Sequence, residues 1–259
     1  LAESDAARSP LWKERSLRRR LEIATVPYAE MRAVSKMLGG TLNTAFVTAA
    51  AHAAGRYHDT MGAPVESLRA SMAISTRTDG SQSNAFSLAR MLVPTADMPI
   101  ADRFAAVNEI LAATRSSGAS NALDAIATVS TVLPTSVITR LARSQAETVD
   151  FATSNVRASG IPLFVAGSKL LANYPIGPLA GVAFNMTLLS YMGSLDVGIN
   201  IDEAAVESPD LLRESLEQSF RELVALAPVA EKKSSDTGAT PPPPPPPATT
   251  RRRWLRRSR

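Results

Sequence analysis

From Val182 to Asp202 the chain is a run of aliphatic and hydroxyl-bearing residues broken once, at Met192-Gly193-Ser194. Gly193 can supply the positive φ of a tight turn, so the pattern predicts two antiparallel strands joined as a hairpin. Within Phe184–Tyr191 the apolar and polar positions do not alternate strictly, as expected for a central strand covered on both faces. Ser154 to Gly167, with its apolar run Pro162 to Gly167, predicts further strands of the same sheet just upstream, making Ser154 to Asp202 its core.

Earlier in the chain, Leu21 to Val26 reads as a strand ended by Pro27. Met31, Val34, Met37 and Leu38 carry helical spacing over Tyr28 to Leu38, closed by Gly39-Gly40. Thr41 is a candidate N-cap for a longer helix to about Asp59, whose face is built of Leu42, Phe46, Ala49, Ala50, Ala53 and Tyr57. Strands follow at Leu68 to Thr76 and Phe86 to Pro94. Helical spacing returns over Ile100 to Arg115, Ala119 to Val132 and Thr135 to Ala146, and a last helix spans Pro209 to Leu226 with Ser208 as its cap. Strands separated by helices, then a late strand cluster, define an α/β class: a mixed sheet flanked by helices.

Composition narrows this. With 45% hydrophobic and 20% charged residues the 259-residue chain has ample core material. It contains no apolar run long enough to span a bilayer and no hydrophobic leader at its start, so a cytoplasmic location is the expectation. The absence of cysteine excludes disulfides and thiolate chemistry. The net charge of +4 is a property of the end of the chain: from Glu231 onward there are eight Lys/Arg and two acids, which leaves 20 basic against 22 acidic residues over 1–230, a net of −2. A nucleic-acid partner is therefore not expected. Residues 1–20, net +5 between Arg8 and Arg20, read as a solvated basic linker with a lipid-surface or acidic-partner contact as the sharper alternative. Residues 229–259, with seven consecutive prolines and an arginine-rich end, read as a disordered tail.

The residues offer little catalytic chemistry. His52 and His58, the only histidines, lie six positions apart on one predicted helix, about 120° around it, so they cannot share a metal. No Ser or Asp has a spacing that marks it as partner to either, and both read as packed or solvent-facing helix residues. No phosphate-cradling glycine loop is present, and no metal or cofactor is expected.

Several stretches nonetheless resemble the carboxyl-terminal half of bacterial wax ester synthase/diacylglycerol acyltransferases. They are Glu14 to Arg20 (ERSLRRR); Leu38 to Phe46 (LGGTLNTAF), similar to that family's GGxxND; Met72 to Asp79 (MAISTRTD); Val149 to Val156 with Pro162 to Gly167; and Tyr174 to Leu179 with Asn185 to Tyr191. The resemblance runs from about Ser9 to Leu226. It implies one half of a two-domain fold like that of chloramphenicol acetyltransferase and condensation domains, with 21–228 as the domain. It also implies a tunnel between the halves where acyl-CoA, as substrate rather than cofactor, meets diacylglycerol or a long-chain alcohol. A peripheral position at membranes or lipid inclusions is implied only by this resemblance. In that picture Asn43 holds the tunnel floor, and Ser154, Asn155 and Asn185 face the cleft as tunnel or structural residues.

The departures are equally specific. The family's HHxxxDG, whose second histidine takes the hydroxyl proton in a step worth about 10² to 10⁴ in rate, belongs to the other half, and no adjacent histidine pair occurs here. The family's ND reads Asn43-Thr44, and its NVPG reads Asn155-Val156-Arg157-Ala158. Pro10-Leu11-Trp12 matches a family triplet in letters but abuts the linker, and is read as coincidence. Two functions follow: the carboxyl-terminal half of an O-acyltransferase that needs an amino-terminal half, inactive by itself, or a catalytically dead lipid-binding scaffold.

Overall fold

The hairpin predicted around Gly193 forms two interior strands of the sheet. In the computed structural model, which describes residues 7–75, 86–116, 148–157 and 160–227, Phe184–Tyr191 and Ser194–Asp202 pair antiparallel along their whole lengths. Met192 and Gly193 both take positive φ, 47° and 86°, at the turn between them. In chain order the elements are β1 (Arg19–Pro27), α1 (Tyr28–Met37), α2 (Leu42–Thr60), β2 (Ser67–Ser75), β3 (Phe86–Pro94), α3 (Ile100–Ser116), β4 (Phe151–Arg157), β5 (Phe164–Val165), β6 (Ser168–Lys169), β7 (Phe184–Tyr191), β8 (Ser194–Asp202) and α4 (Pro209–Ala225).

Six strands form one mixed sheet in the order β1-β8-β7-β4-β2-β3. β4 lies parallel to β7 and β2, and the other neighbours are antiparallel. This is the α/β class that the sequence predicts. Strand alternation sends Phe184, Met186 and Leu188 of β7, Val197 and Ile199 of β8, Phe151 of β4 and Ala70 and Met72 of β2 to one face. There they join a single core with Val34, Phe46, Tyr57, Phe104, Leu111, Leu216, Phe220 and Leu223 from α1 to α4. The four described helices thus cover one face. The other face of β7 and β8 is covered by irregular chain around 173–182, which explains why β7 is buried on both sides without helices on both.

Three expectations change. The run Pro162 to Gly167 is not a strand of the main sheet: Phe164–Val165 pairs only with Ser168–Lys169, and both residues are 64% exposed. Four residues of local pairing cannot reach the ladder of the large sheet, and the apolar run points to solvent. Ser208 stands at the start of α4 but its side chain makes no cap hydrogen bond; its backbone N–H donates to the Tyr57 hydroxyl at 3.3 Å. Most consequentially, the stretch expected as a solvated linker is packed down. Trp12 is 1% exposed, with ring centroids 5.4 Å from Phe184 and 5.7 Å from Tyr57, and Arg19 and Arg20 begin β1. The triplet Pro10-Leu11-Trp12 is structural. The helices predicted at Ala119 to Val132 and Thr135 to Ala146, and the tail 229–259, lie outside the described residues.

Candidate functional site

The start of α2 is fixed by reciprocal capping. Thr41, extended at φ −122°, accepts the Thr44 N–H on its hydroxyl at 3.2 Å, and the Thr44 hydroxyl accepts the Thr41 N–H at 3.2 Å. The Thr44 hydroxyl also donates to Asn108 Oδ1 of α3 at 3.0 Å. Asn43, in this pinned first turn, accepts a hydrogen bond at 2.5 Å on its Oδ1 from Nδ2 of Asn155, at the exposed end of β4. Two residues 112 positions apart therefore meet on the helix-bearing side of the sheet. Neither carboxamide titrates, so the pair can orient a neighbour but cannot remove a proton.

Ser154 and Asn185 turn the other way. In the parallel ladder Asn155 is opposite Leu188 of the core, whereas Ser154 is opposite Thr187, whose neighbour Asn185 also faces outward. Asn185 is 6% exposed; its Nδ2 donates to the Pro178 carbonyl at 2.7 Å and its Oδ1 accepts from Thr187 at 3.0 Å. It clamps the covering segment to the sheet. The four residues singled out in the sequence thus fall into two sets on opposite faces, and only Asn43 and Asn155 touch.

Both histidines are consumed in the core. The His58 Nδ1 lies 2.7 Å from the Ala54 carbonyl, which can only accept, so that nitrogen carries the proton and Nε2 accepts the Ser9 hydroxyl at 2.8 Å. Ser9 Oγ in turn accepts the N–H groups of Leu11 and Trp12, and the Trp12 ring stands edge-on at 4.4 Å to the imidazole. Burial pushes the His58 pKa below its ordinary value, against the weaker pull of the Ala54 carbonyl and Asp150. This Ser–His pair is closed off from solvent: Ser9 is 5% and His58 0% exposed. The carboxylate of Asp150, whose charge acts on His58, is occupied by the backbone N–H groups of Arg8, Ser9 and Arg69.

His52 sits among α2, α3 and α4. Its Nδ1 accepts from Arg103 Nε at 3.3 Å, and its Nε2 is 3.0 Å from Glu222 Oε2. Arg103, 2% exposed, also donates to the carbonyls of Pro94 and Ala96. Burial, and then the Arg103 charge, hold His52 below its ordinary pKa. The sequence carried no sign of these partners because they come from 49 and 51 residues away. Among the described residues no cluster of His, Asp and Glu converges as a metal site, and no helix is long and apolar enough to cross a membrane.

A six-stranded mixed sheet with helices packed on one face and a self-paired hairpin standing out of it is one half of the acyltransferase and condensation-domain fold. The chain superposes on a wax ester synthase/diacylglycerol acyltransferase from Marinobacter aquaeolei with a TM-score of 0.66 at 22% identity, covering 87% of this chain and 53% of that one. It superposes on the structure described for condensation domain-mediated chain release from the enacyloxin polyketide synthase with a TM-score of 0.55 at 15% identity, covering 85% and 43%. Residues 82–224 match the family described as the WS/DGAT C-terminal domain, and the chain belongs to that family. A Mycobacterium tuberculosis protein named as a diacylglycerol O-acyltransferase is 31% identical over 226 residues, and a second is 28% identical over 238. The chain spans 45% and 50% of their lengths.

Proposed function

We propose that this chain is the carboxyl-terminal half of an acyl-CoA-dependent O-acyltransferase that forms triacylglycerol or wax ester, and that it works with an amino-terminal half carrying HHxxxDG. The observation that carries the reading is the fate of its histidines. A member of an acyltransferase family needs a base for the acceptor hydroxyl, and both imidazoles here are buried, hydrogen-bonded and biased to the neutral form by burial. The base must come from elsewhere. In the complete site it takes the hydroxyl proton as the oxygen attacks the thioester carbonyl, and the CoA sulfur leaves and is protonated. This half supplies orientation: Asn43 and Asn155, held by the capped start of α2 and the end of β4, form the floor beside the reacting groups. Ser154 and Asn185 serve as scaffold on the far face. The exposed hairpin at Phe164 and Val165 docks on the amino-terminal half.

The test is acyl transfer from a labelled long-chain acyl-CoA to diacylglycerol and to a long-chain alcohol, by this chain alone and mixed with an amino-terminal half of the family. Activity on mixing only is expected. Activity of the chain alone overturns the assignment of the base. Silence on mixing, with the added half folded and bound, supports instead a catalytically dead lipid-binding scaffold, a reading favoured by the Thr44 that stands where the family carries a carboxylate.

A further inference from the structure

The hairpin of β5 and β6 is rooted on one buried hydroxyl. Its paired residues turn at Ala166 and Gly167, both at positive φ, 50° and 82°. At its base the Leu170 N–H donates to the Leu163 carbonyl at 2.8 Å. The return bond of that rung is replaced by a side chain of the main sheet. The Tyr191 hydroxyl, at the end of β7, accepts the Leu163 N–H at 3.0 Å and donates to the Leu170 carbonyl at 3.0 Å. A hydroxyl has one proton to give and lone pairs to accept with, so both bonds form together. Tyr191 is 2% exposed and shares the outward parity of Asn185.

A two-stranded hairpin of this length is marginal in water by itself. This one gains little from its own side chains, since Phe164 and Val165 are exposed, as are Ile161 and Leu171 at 68% and 85%. The arm formed by 160–171 is therefore an apolar surface whose order comes from its root. Its place in the sheet is defined as well. β4 and β7 run parallel with Asn155 opposite Leu188 and Arg157 opposite Ser190, so Tyr191 lies at the end of the sheet where Asn155 reaches Asn43. From Gly160 to Ala183 the only charged residue is Lys169, which suits the arm to an apolar groove rather than to a charged surface. The chain spans 45% and 50% of its relatives' lengths, and the other half is what the amide pair faces in the acyltransferase reading.

We propose that Tyr191 is a positioning residue for assembly: its hydroxyl keeps the arm ordered in the orientation in which Ile161, Phe164, Val165 and Leu171 seat in an apolar groove of the amino-terminal half. The arm is then ordered before the halves meet, and affinity gains by that preorganisation. The proposal rests on the two-half reading and deepens it by assigning the residue that sets how the halves engage.

Tyr191→Phe removes the oxygen and keeps the ring. In the full chain alone, the Leu163 and Leu170 amides should then exchange their hydrogens about tenfold faster, while those of Met186 and Ile199 in the large sheet keep their protection. In titrations with the amino-terminal half of the 31%-identical Mycobacterium tuberculosis relative, the half-saturating concentration should rise about tenfold. The rate of acyl transfer at saturation should be unchanged. Phe164→Ser with Val165→Ser should weaken the same association and leave exchange at Leu163 and Leu170 as it was. Association of the parent chain should be insensitive to salt.

Unchanged exchange in Tyr191→Phe overturns the proposal, because the rung then closes without the hydroxyl. Faster exchange with unchanged association overturns it too, as does full association by the double serine variant. A lower rate at saturation overturns it by placing Tyr191 in the site itself, and association that fades in salt overturns it in favour of the arginine-rich end of the chain. Each of these leaves the two-half reading standing. Failure of the parent chain to associate at all overturns that reading, and the role of the arm with it.

Discussion

Ser9 Oγ and His58 Nε2 stand 2.8 Å apart although 49 residues separate them in the chain, and the Trp12 ring closes over the bond. The serine oxygen has three partners here, His58 and the amides of Leu11 and Trp12. Ser9→Ala leaves a buried imidazole acceptor and two N–H groups without their bonds, and should cost about 1–3 kcal/mol. Trp12→Ala opens a cavity against Phe184 and Tyr57 and should cost about 3–5 kcal/mol. Urea unfolding checks both, as a lowered midpoint with an unchanged slope.

The two buried imidazoles set an acid sensitivity. In the folded protein both titrate below the ordinary value of 6.5 because burial disfavours the charged ring. Below that value the unfolded chain binds more protons than the folded one, so stability falls as pH falls through about 6.5 and stops falling once the folded rings protonate. Asp202, held below its ordinary 3.8 by Ser16 and the Ala204 N–H against the opposing effect of burial, adds a second loss only in stronger acid. A variant with His52→Gln and His58→Gln should be less stable at neutral pH, yet show a flatter stability curve between about pH 7 and 5. A curve parallel to that of the parent chain would disprove the assignment.

Asn43 and Asn155 make the opposite prediction. Their hydrogen bond lies at the surface, so Asn43→Ala and Asn155→Ala should each change stability by less than about 1 kcal/mol. If the pair orients the reacting groups, acyl transfer by the mixed halves should drop about tenfold for either variant and no further for the double variant. Additive losses would mean that the two amides act separately.

Gly198, on the outer face of β8, faces the Pro175 carbonyl so closely that a methyl group at that position must push the covering segment away. Gly198→Ala should cost about 1–3 kcal/mol and abolish the hydrogen-exchange protection of the Asn173 amide, which donates to Asp196 Oδ2 at 2.9 Å. Gly193→Ala, at φ +86° with open space around it, should cost about 1 kcal/mol through the backbone alone and leave Asn173 protected.

Local chemistry was legible in the chain, and distant chemistry was not. Thr41 ahead of a small-residue face announced α2 because capping acts within one turn, and Gly193 announced the β7–β8 hairpin because only the turn residues decide it. The same holds for the strand between Leu21 and Pro27. Trp12 left no such signal: its pocket is built from Tyr57, His58 and Phe184, and nothing in the polar run around it shows that an aromatic ring is drawn inside. The exposed hairpin at Phe164 failed for the converse reason, since an apolar run reads as core whether or not its cover is present. At the candidate site the types of residue were legible, but the face was not: Ser154 and Asn155 are neighbours in sequence, and the period of two sends them to opposite sides.

The carboxylate of Asp150 accepts backbone N–H groups from Arg8, Ser9 and Arg69, and its own N–H donates to the Arg69 carbonyl. Through this one side chain the strap ahead of β1 is sewn to the seam where β2 and β4 run parallel. An expression boundary drawn at the first residue of β1 would therefore remove the thread and leave Phe184 and Tyr57 facing water. Cut just before residue 8, the same domain should keep its seam closed; cut at residue 19, it should aggregate.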